Sequence, residues 1–476
     1  MNNFFSMKRP ILISCLSGVL LLPACMVGPD FKGAPQQDLP ASWATAVPPA
    51  VDKDALTHWW QLFGDNQLES LLEQAVNNNP DMVAAALRIK EAESSARIAG
   101  AALLPSASAS GSQSTAPSSG FSSTSHGKWG LGASASWELD IFGGNRRSIE
   151  AALANLRSTE ASAAAVRTAL LANVASAYFD WIAAEEQLRI AKEQLDYQQH
   201  TYEIVVQRQS VGFAADLDLE QAKAQIASTK STIPAMEAAR QNARNQLAIY
   251  LGSYLDRVKL SMPSADVYNK IPSVPTGLPS DLLRRRPDII QAEEDLHAAT
   301  ANVGVAVADL FPKFSLTGSV NTSAGSDFAG MFSSGKSSWA LGGGVNQSIF
   351  QGGALWERVR QQKTATQRSA ESYRKTVVVA MSEVESCLIN YAQVMQQLPL
   401  YEEARRANRE AARISLKLYT AGMTDFLNVA SAQQSWLSSE ERLVSARQSL
   451  RQNMANLYKV LGGGWDASRV QALSKR

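Results

Sequence analysis

The sequence predicts a membrane protein of mixed α and β class, built as an internal two-fold repeat. Each half supplies two long strands and a hairpin of very long helices. Three observations predict this. Residues 80 to 252 are echoed, with different side chains in the same places, by residues 287 to 462. Both halves contain stretches of apolar–polar alternation, the signature of a strand with one oily and one wet face. Both then switch to runs of about 65 residues almost free of helix breakers.

The repeat rests on ordered landmarks. Asn79-Pro80-Asp81 with Leu104-Pro105 corresponds to Arg286-Pro287-Asp288 with Phe311-Pro312. Trp129-Gly130-Leu131-Gly132 corresponds to Trp339-Ala340-Leu341-Gly342, and Ile141-Phe142-Gly143-Gly144 to Ile349-Phe350-Gln351-Gly352-Gly353. Val211-Gly212-Phe213 pairs with Ala421-Gly422-Met423, and the run ending at Gly252 pairs with that ending at Gly462. The offset drifts only from about 207 to about 210, so this is one long duplicated unit rather than a short solenoid repeat.

At the N-terminus, Lys8 and Arg9 precede a short apolar core from Ile11 to Leu22, too short to span a bilayer and readable as a secretory signal. Leu22-Pro23-Ala24-Cys25 resembles the lipobox of bacterial lipoproteins, in which the cysteine is acylated and becomes the first residue. Met26 after it, rather than Asp, resembles lipoproteins exported to the outer membrane. The bland alternative is an ordinary signal peptide with a chance Cys25. Cys15 leaves with the signal, so Cys387 remains as a single thiol and an intramolecular disulfide is not expected.

From Cys25 to about Ala50 the chain is rich in proline and short polar residues and reads as an extended tail. Trp59-Trp60-Gln61-Leu62-Phe63 opens the ordered region. Asp65 starts a helix with Leu68, Leu71, Leu72, Ala75 and Val76 on one face, Pro80-Asp81 restarts it, and Pro105 ends it. Residues 106 to 127 are mostly Ser, Gly, Ala and Thr, poor material for a helix. Trp129, Leu131, Ala133, Ala135, Trp137, Leu139 and Ile141 then alternate with polar or small residues. Phe314, Leu316 and Val320 do so in the second half, as do Trp339, Leu341, Val345 and Ile349. Each strand has about the ten residues a tilted membrane strand needs, and Trp129, Trp137 and Trp339 suit interfacial positions. A soluble hairpin packed on a core is the other reading.

Asn145 to about Gln209 contains neither proline nor glycine and, at 1.5 Å per residue, predicts a helix of ~100 Å. The matching segment from Ala354 to Ala421 breaks only at Pro399. Helices this long need lateral support, and Ala161, Ala163, Ala164, Ala165, Ala169 and Ala172 permit close contact. Gly212 and Gly422 are expected C-caps, and Asp216 and Thr424 or Asp425 are expected caps of the return helices. Four strands cannot close a membrane barrel, whose smallest examples have about eight, and lipid does not tolerate open edges. The chain must therefore associate with copies of itself.

These features resemble the TolC-like outer membrane efflux channels, specifically their NodT-type lipoprotein branch. The resemblance covers nearly the whole mature chain. It is carried by Cys25-Met26-Val27-Gly28-Pro29-Asp30-Phe31, by Asp281-Leu282-Leu283-Arg284-Arg285-Arg286-Pro287-Asp288-Ile289, by Leu139-Asp140-Ile141-Phe142-Gly143 and by Ser348-Ile349-Phe350-Gln351-Gly352-Gly353, in that family's order and spacing. It implies a homotrimer whose four strands per chain make a 12-stranded outer-membrane β-barrel, continued by a long antiparallel α-helical periplasmic barrel. It further implies a passive exit duct for drugs or other toxic solutes, docked to a periplasmic adaptor (membrane fusion protein) and an inner-membrane pump, usually of the resistance-nodulation-division type. The expected organisation is a signal peptide at 1–24, an acylated tail at 25–64, repeat one at 65–260, a proline-rich connector at 261–286, repeat two at 287–464 and a tail at 465–476.

In such a channel the site of interest is the periplasmic tip, at the turns after the long helices. Tyr419 matches a tyrosine that helps latch the family's closed state. Asp216, Asp218 and Asp425 lie near the tips, where oligomerisation would turn each into a ring that focuses the field in a narrow pore. Their other reading is as ordinary caps and helix-dipole partners. Where many members carry an acid before Ala-Gln, this chain has Ser431-Ala432-Gln433. Arg284, Arg285 and Arg286 read as solvated or paired structural residues, and Gly342-Gly343-Gly344 is not a phosphate loop because no Lys-Ser/Thr follows.

Other functions fit less well. The net charge is +1 with charges well mixed, so nothing points to nucleic acid. His58, His126, His200 and His297 are scattered without metal-ligand spacing, no Gly-x-Ser-x-Gly elbow exists, and neither an enzyme nor a cofactor is expected. A soluble coiled-coil adaptor would use the helices but leave the strands without a role. Export of proteins or of copper and silver ions stays open within the family, although the 11 methionines do not cluster into a thioether path.

Overall fold

In a computed structural model of the chain, the described residues are 26–45, 56–116, 126–271, 285–324 and 337–465. The signal segment, Cys25, Arg284, most of the proline-rich connector and the C-terminal tail lie outside them. The chain divides into two compact units. One comprises Met1–Pro35, Lys90–Ser158 and Ala292–Tyr373; the other comprises Gln36–Ile89, Thr159–Gln291 and Arg374–Arg476.

A single 3-10 turn, Trp59–Phe63, precedes α1 (Asn66–Asn78). The first series then runs α2 (Pro80–Ala101), β1 (Ser106–Ala116), β2 (His126–Leu139), α3 (Gly144–Ser210) and α4 (Asp216–Tyr250). After the short α5 (Ala265–Asn269), the second runs α6 (Pro287–Ala308), β3 (Lys313–Ala324), β4 (Ser337–Asn346), α7 (Ala354–Thr420) and α8 (Phe426–Val460). Corresponding helices match in length: α2 and α6 have 22 residues, α3 and α7 have 67, α4 and α8 have 35. The duplication therefore governs backbone length as well as landmark residues.

In the first unit the strands form one antiparallel sheet in the order β1-β2-β3-β4. The register explains its chemistry. Ala107, Ala135, Gly318 and Leu341 lie opposite one another in one row, and Ala109, Ala133, Val320 and Trp339 in another. The intervening row is Ser108, Ser134, Ser319 and Ala340; the next on that face is Ser110, Gly132, Asn321 and Ser338. Directly opposed residues share a face, so one side is apolar and the other is lined by hydroxyls and amides. A slip of one residue in any pair would exchange the faces. The strands are shorter at one end than the alternation predicts: Ile141 and Ile349 lie beyond β2 and β4. They fall in the turns that lead to Gly143, Gly352 and Gly353, whose φ values of 79°, 58° and 85° divert the chain out of strand geometry.

The start of the described N-terminal tail, residues 26–31, is held within this unit. Val27 N–H donates to Phe142 O at 3.1 Å, and the Arg147 side chain donates to Val27 O at 3.2 Å and to Asp30 Oδ1 at 2.5 Å. Phe31 stacks on His297 at 4.4 Å. Arg147 is nearly inaccessible, and its bonds to Asp30 and Glu150 outweigh the desolvation that opposes its charge, raising its pKa.

In the second unit the core begins at the Trp59–Phe63 turn. Trp59 stacks on Tyr458 at 5.0 Å, and Phe63 packs on Phe179 at 5.2 Å. Asp65 caps α1, accepting from Gln67 N–H and Leu68 N–H and from the Tyr178 hydroxyl. At the ends of the return helices the two halves repeat one device with different side chains. Asn79 Nδ2 donates to Tyr250 O at 2.8 Å, and Arg286 Nη1 donates to Val460 O at 3.0 Å. Arg286 is buried and also bonds Asp288 and Glu383. That arrangement agrees with the paired structural reading.

Two expectations need correcting. Pro399 does not break α7, which runs unbroken to Thr420; a long, laterally packed helix absorbs one missing hydrogen bond, as α4 does at Pro234. Asp216 does not cap α4. Ala215 occupies the cap position, and Asp216 already lies in the first turn. Asp425 does sit at the cap of α8, but its side chain makes no capping bond.

Candidate functional site: the tip of the helical hairpins

The turn that closes each hairpin follows from a glycine. Gly212 and Gly422 adopt φ of 80° and 74°, which side chains disfavour. The bonds Phe213 N–H to Arg208 O and Gly212 N–H to Gln209 O then close the end of α3 as a Schellman motif. Met423 to Leu418 and Gly422 to Tyr419 do the same for α7. Both turns are the predicted C-caps.

Just behind these turns the hairpins α3–α4 and α7–α8 share a small core of Val205, Ala222, Tyr419, Phe426 and Val429. Tyr419 is only 3 % exposed, and its ring meets Phe426 edge-on at 5.6 Å. Polar links next to the turns also join the hairpins. The Tyr419 hydroxyl donates to Asp218 Oδ2 at 3.1 Å, and Arg208 Nη1 donates to Thr420 O at 2.7 Å. The Arg208 guanidinium also lies 5.0 Å from the Tyr419 ring centre. Burial, reinforced by the bond to Asp218, pushes the Tyr419 phenol up to about 12, with Arg208 opposing. The phenol thus stays a neutral donor facing a carboxylate throughout the ordinary pH range.

Of the residues singled out in the sequence, the structure brings Tyr419 and Asp218 into contact. Asp216 is exposed and accepts from Gln209 Nε2 at 3.0 Å within its own hairpin. Asp425 is exposed at the start of α8. Ser431 is exposed, whereas Gln433 is buried and donates to Thr201 Oγ1 at 3.0 Å. Arg208 and Gln209 escaped the sequence reading. The only local signal for Arg208 is a basic residue in the last turn of a helix, which ordinarily denotes a dipole partner.

Among the described residues no helix is long and apolar enough to cross a membrane. The surface matching a bilayer is the apolar face of the sheet, where Trp339 and Leu341 are almost wholly exposed.

Comparison with known proteins agrees with this geometry. The sequence profile of the outer membrane efflux protein family matches residues 71–253 and 278–463, the two halves of the repeat. The chain is 32 % identical over 487 residues to the pyoverdine export outer membrane protein OpmQ of Pseudomonas aeruginosa, covering 99 % of this chain and all of that one. It is 31 % identical over 449 residues to the cation efflux system protein CusC of Escherichia coli O6:H1, covering 94 % and 97 %. The solved outer-membrane channel OprN superposes with a TM-score of 0.84 at 30 % identity, over 93 % of this chain and all of that one. The duplicated helix–strand–strand–helix–helix series, the two-faced sheet and these matches lead to one conclusion: the chain belongs to the outer membrane efflux protein family and is an outer-membrane exit duct of TolC-like fold.

Proposed function

We propose that three copies of the chain complete a 12-stranded barrel and form a passive duct through which drugs or other small toxic solutes leave the periplasm. The observation that carries this is the sheet: four antiparallel strands with one apolar face, ending in β1 and β4, each paired on one side only among the described residues. Such edges are stable in lipid only when closed by further strands. In this reading the duct receives solutes from an inner-membrane pump, of resistance-nodulation-division type, through a periplasmic adaptor. Acylation of Cys25 anchors the chain, and the strap from Met26 to Phe31 ties that anchor to the helices beside the sheet.

The hairpin tip is the gate. The Tyr419–Asp218 and Arg208–Thr420 links hold the second hairpin to the first, and their release frees it to move. Asp216, Asp218 and Asp425 then contribute negative charge around the opening. A duct of this kind selects little by itself: OpmQ is named for pyoverdine export and CusC for cation efflux, although this chain is similar to both.

Two measurements test the proposal. Mass determination in detergent should return three chains per particle; a stable solitary chain overturns it. Deleting the gene together with its cognate pump should sensitise cells to a subset of a broad panel of toxic solutes, and unchanged susceptibility across the panel overturns the efflux reading.

A further inference from the structure

The second unit contains a cavity of about 350 Å³ that the duct reading does not use. It lies where α5 and the residue pair after it meet α7 and α8. Its lining includes five cations, Lys270, Arg405, Arg406, Arg447 and Arg451, against one carboxylate, Glu402. The whole chain carries a net charge of only +1, so this concentration is a local feature rather than a reflection of composition.

The cations are arranged rather than scattered. Arg447 and Arg451 are four residues apart on α8, a spacing at which like charges repel. Both guanidiniums lie over the Tyr268 ring, at 5.4 and 4.4 Å from its centre. Arg451 is 9 % exposed and donates to Tyr268 O. Burial, with Arg447 adding to it, pushes its pKa below the ordinary guanidinium value. Glu402 bonds Arg447 at 3.0 Å, and Glu440 lies 3.7 Å from Arg405. Among the described residues no carboxylate pairs with Lys270, Arg406 or Arg451. The Nε of Arg405 is buried and has no acceptor among them. A half-enclosed cavity with uncompensated cations and a buried, unmatched donor suits an acceptor-rich anion.

We infer that this cavity is a binding site for a compact multivalent oxyanion, a phosphate ester or a di- or tricarboxylate. The volume lies at the small end of ligand cavities and suits such a molecule. Guanidiniums fixed on a ring supply the planar donors that carboxylate and phosphate oxygens accept. Lys270 and Arg406, both exposed at the rim, draw the anion in.

The test uses the full-length acylated protein purified in detergent. Pyrophosphate and citrate are titrated separately by calorimetry, against sodium chloride at matched ionic strength. The expected result is one saturable binding event per chain for at least one of the two, and which of them binds identifies the oxyanion class. The double variant K270Q/R406Q alters only exposed side chains. It should raise the Kd roughly tenfold or more, the size of about one charge-assisted hydrogen bond. The control R360Q, an exposed cation in the other unit, should leave it unchanged. Absence of saturable binding overturns the inference, and so does binding that K270Q/R406Q leaves intact. Neither result would alter the duct reading, which is tested by copy number and susceptibility.

Discussion

Replacing Tyr419 by Phe is the sharpest probe of the tip, because it deletes one hydroxyl and keeps the ring that packs on Phe426. The bond removed runs from a buried neutral phenol to a half-buried carboxylate at 3.1 Å. Hydrogen bonds to charged groups contribute about 1.5–3 kcal/mol; Asp218 keeps access to water, so the lower end applies. A loss of about 1.5 kcal/mol per chain moves the closed–open ratio by roughly tenfold, and by roughly a thousandfold if three chains open together.

Single-channel conductance in planar bilayers measures this ratio directly. Tyr419→Phe should lengthen open dwell times, and Gln209→Ala, which removes a bond inside one hairpin, should change them far less. An open fraction equal to wild type in Tyr419→Phe would refute the latch. The pH dependence follows with a definite sign. In the proposed gate, a phenol whose folded pKa is raised stabilises the Tyr419–Asp218 contact fully below its ordinary value of about 10 and loses that contribution as pH rises through about 12. This link therefore does not respond to pH changes around neutrality, and its loss should appear only in the alkaline limb.

Further substitutions test other parts of the argument. Gly252→Ala and Gly462→Ala each place a Cβ less than 3 Å from backbone oxygen, of Asn78 and Arg285, at positions of positive φ. Each should destabilise by about 1–3 kcal/mol, read as a lower melting temperature of the detergent-purified protein. Leu341→Arg, on the apolar face, should cost up to ~2–4 kcal/mol in the bilayer and reduce yield in the outer-membrane fraction, while Ser319→Arg on the polar face should be tolerated; equal yields would reject the assignment of faces. Arg147→Ala should leave palmitate labelling intact but expose the strap from Met26 to Phe31 to protease, whereas Cys25→Ser should abolish the labelling itself.

Much of this architecture was legible because its causes are local. The alternation from Trp129 to Leu139 reports β2 directly, and Gly212 and Gly422 mark turns that few other residues could make. The strand β1 was harder to read, since Ser and Ala alternate there with little contrast in hydrophobicity; its face is set by pairing with β2. Asp216 was misread as a cap because capping depends on where the backbone enters the helix, a shift of one residue. Tyr419 was singled out only through a resemblance, and its contact with Asp218 was not legible. Asp218 and Tyr419 are 201 residues apart, and no periodicity links them. The hold of Arg147 on the tail gave no signal, since Val27 and Asp30 lie over a hundred residues away.

The two halves also show which features of a duplicated unit are free to diverge. Where the backbone makes the demand, both copies meet it. The last carbonyls of α4 and α8 receive a donor from Asn79 in one half and Arg286 in the other. Gly252 and Gly462 are held by contacts that leave no room for a Cβ. At the tip the demand is different, and so is the chemistry. Gln209 and Tyr419 occupy corresponding positions three residues before their glycines, yet Gln209 bonds Asp216 of its own hairpin while Tyr419 reaches across to Asp218 of the other. A bond within a hairpin moves with it and resists nothing; a bond between hairpins must break before either can swing. In the proposed gate, the bonds that cross between hairpins, from Tyr419 to Asp218 and from Arg208 to Thr420, are therefore the ones that have to break before the tip opens.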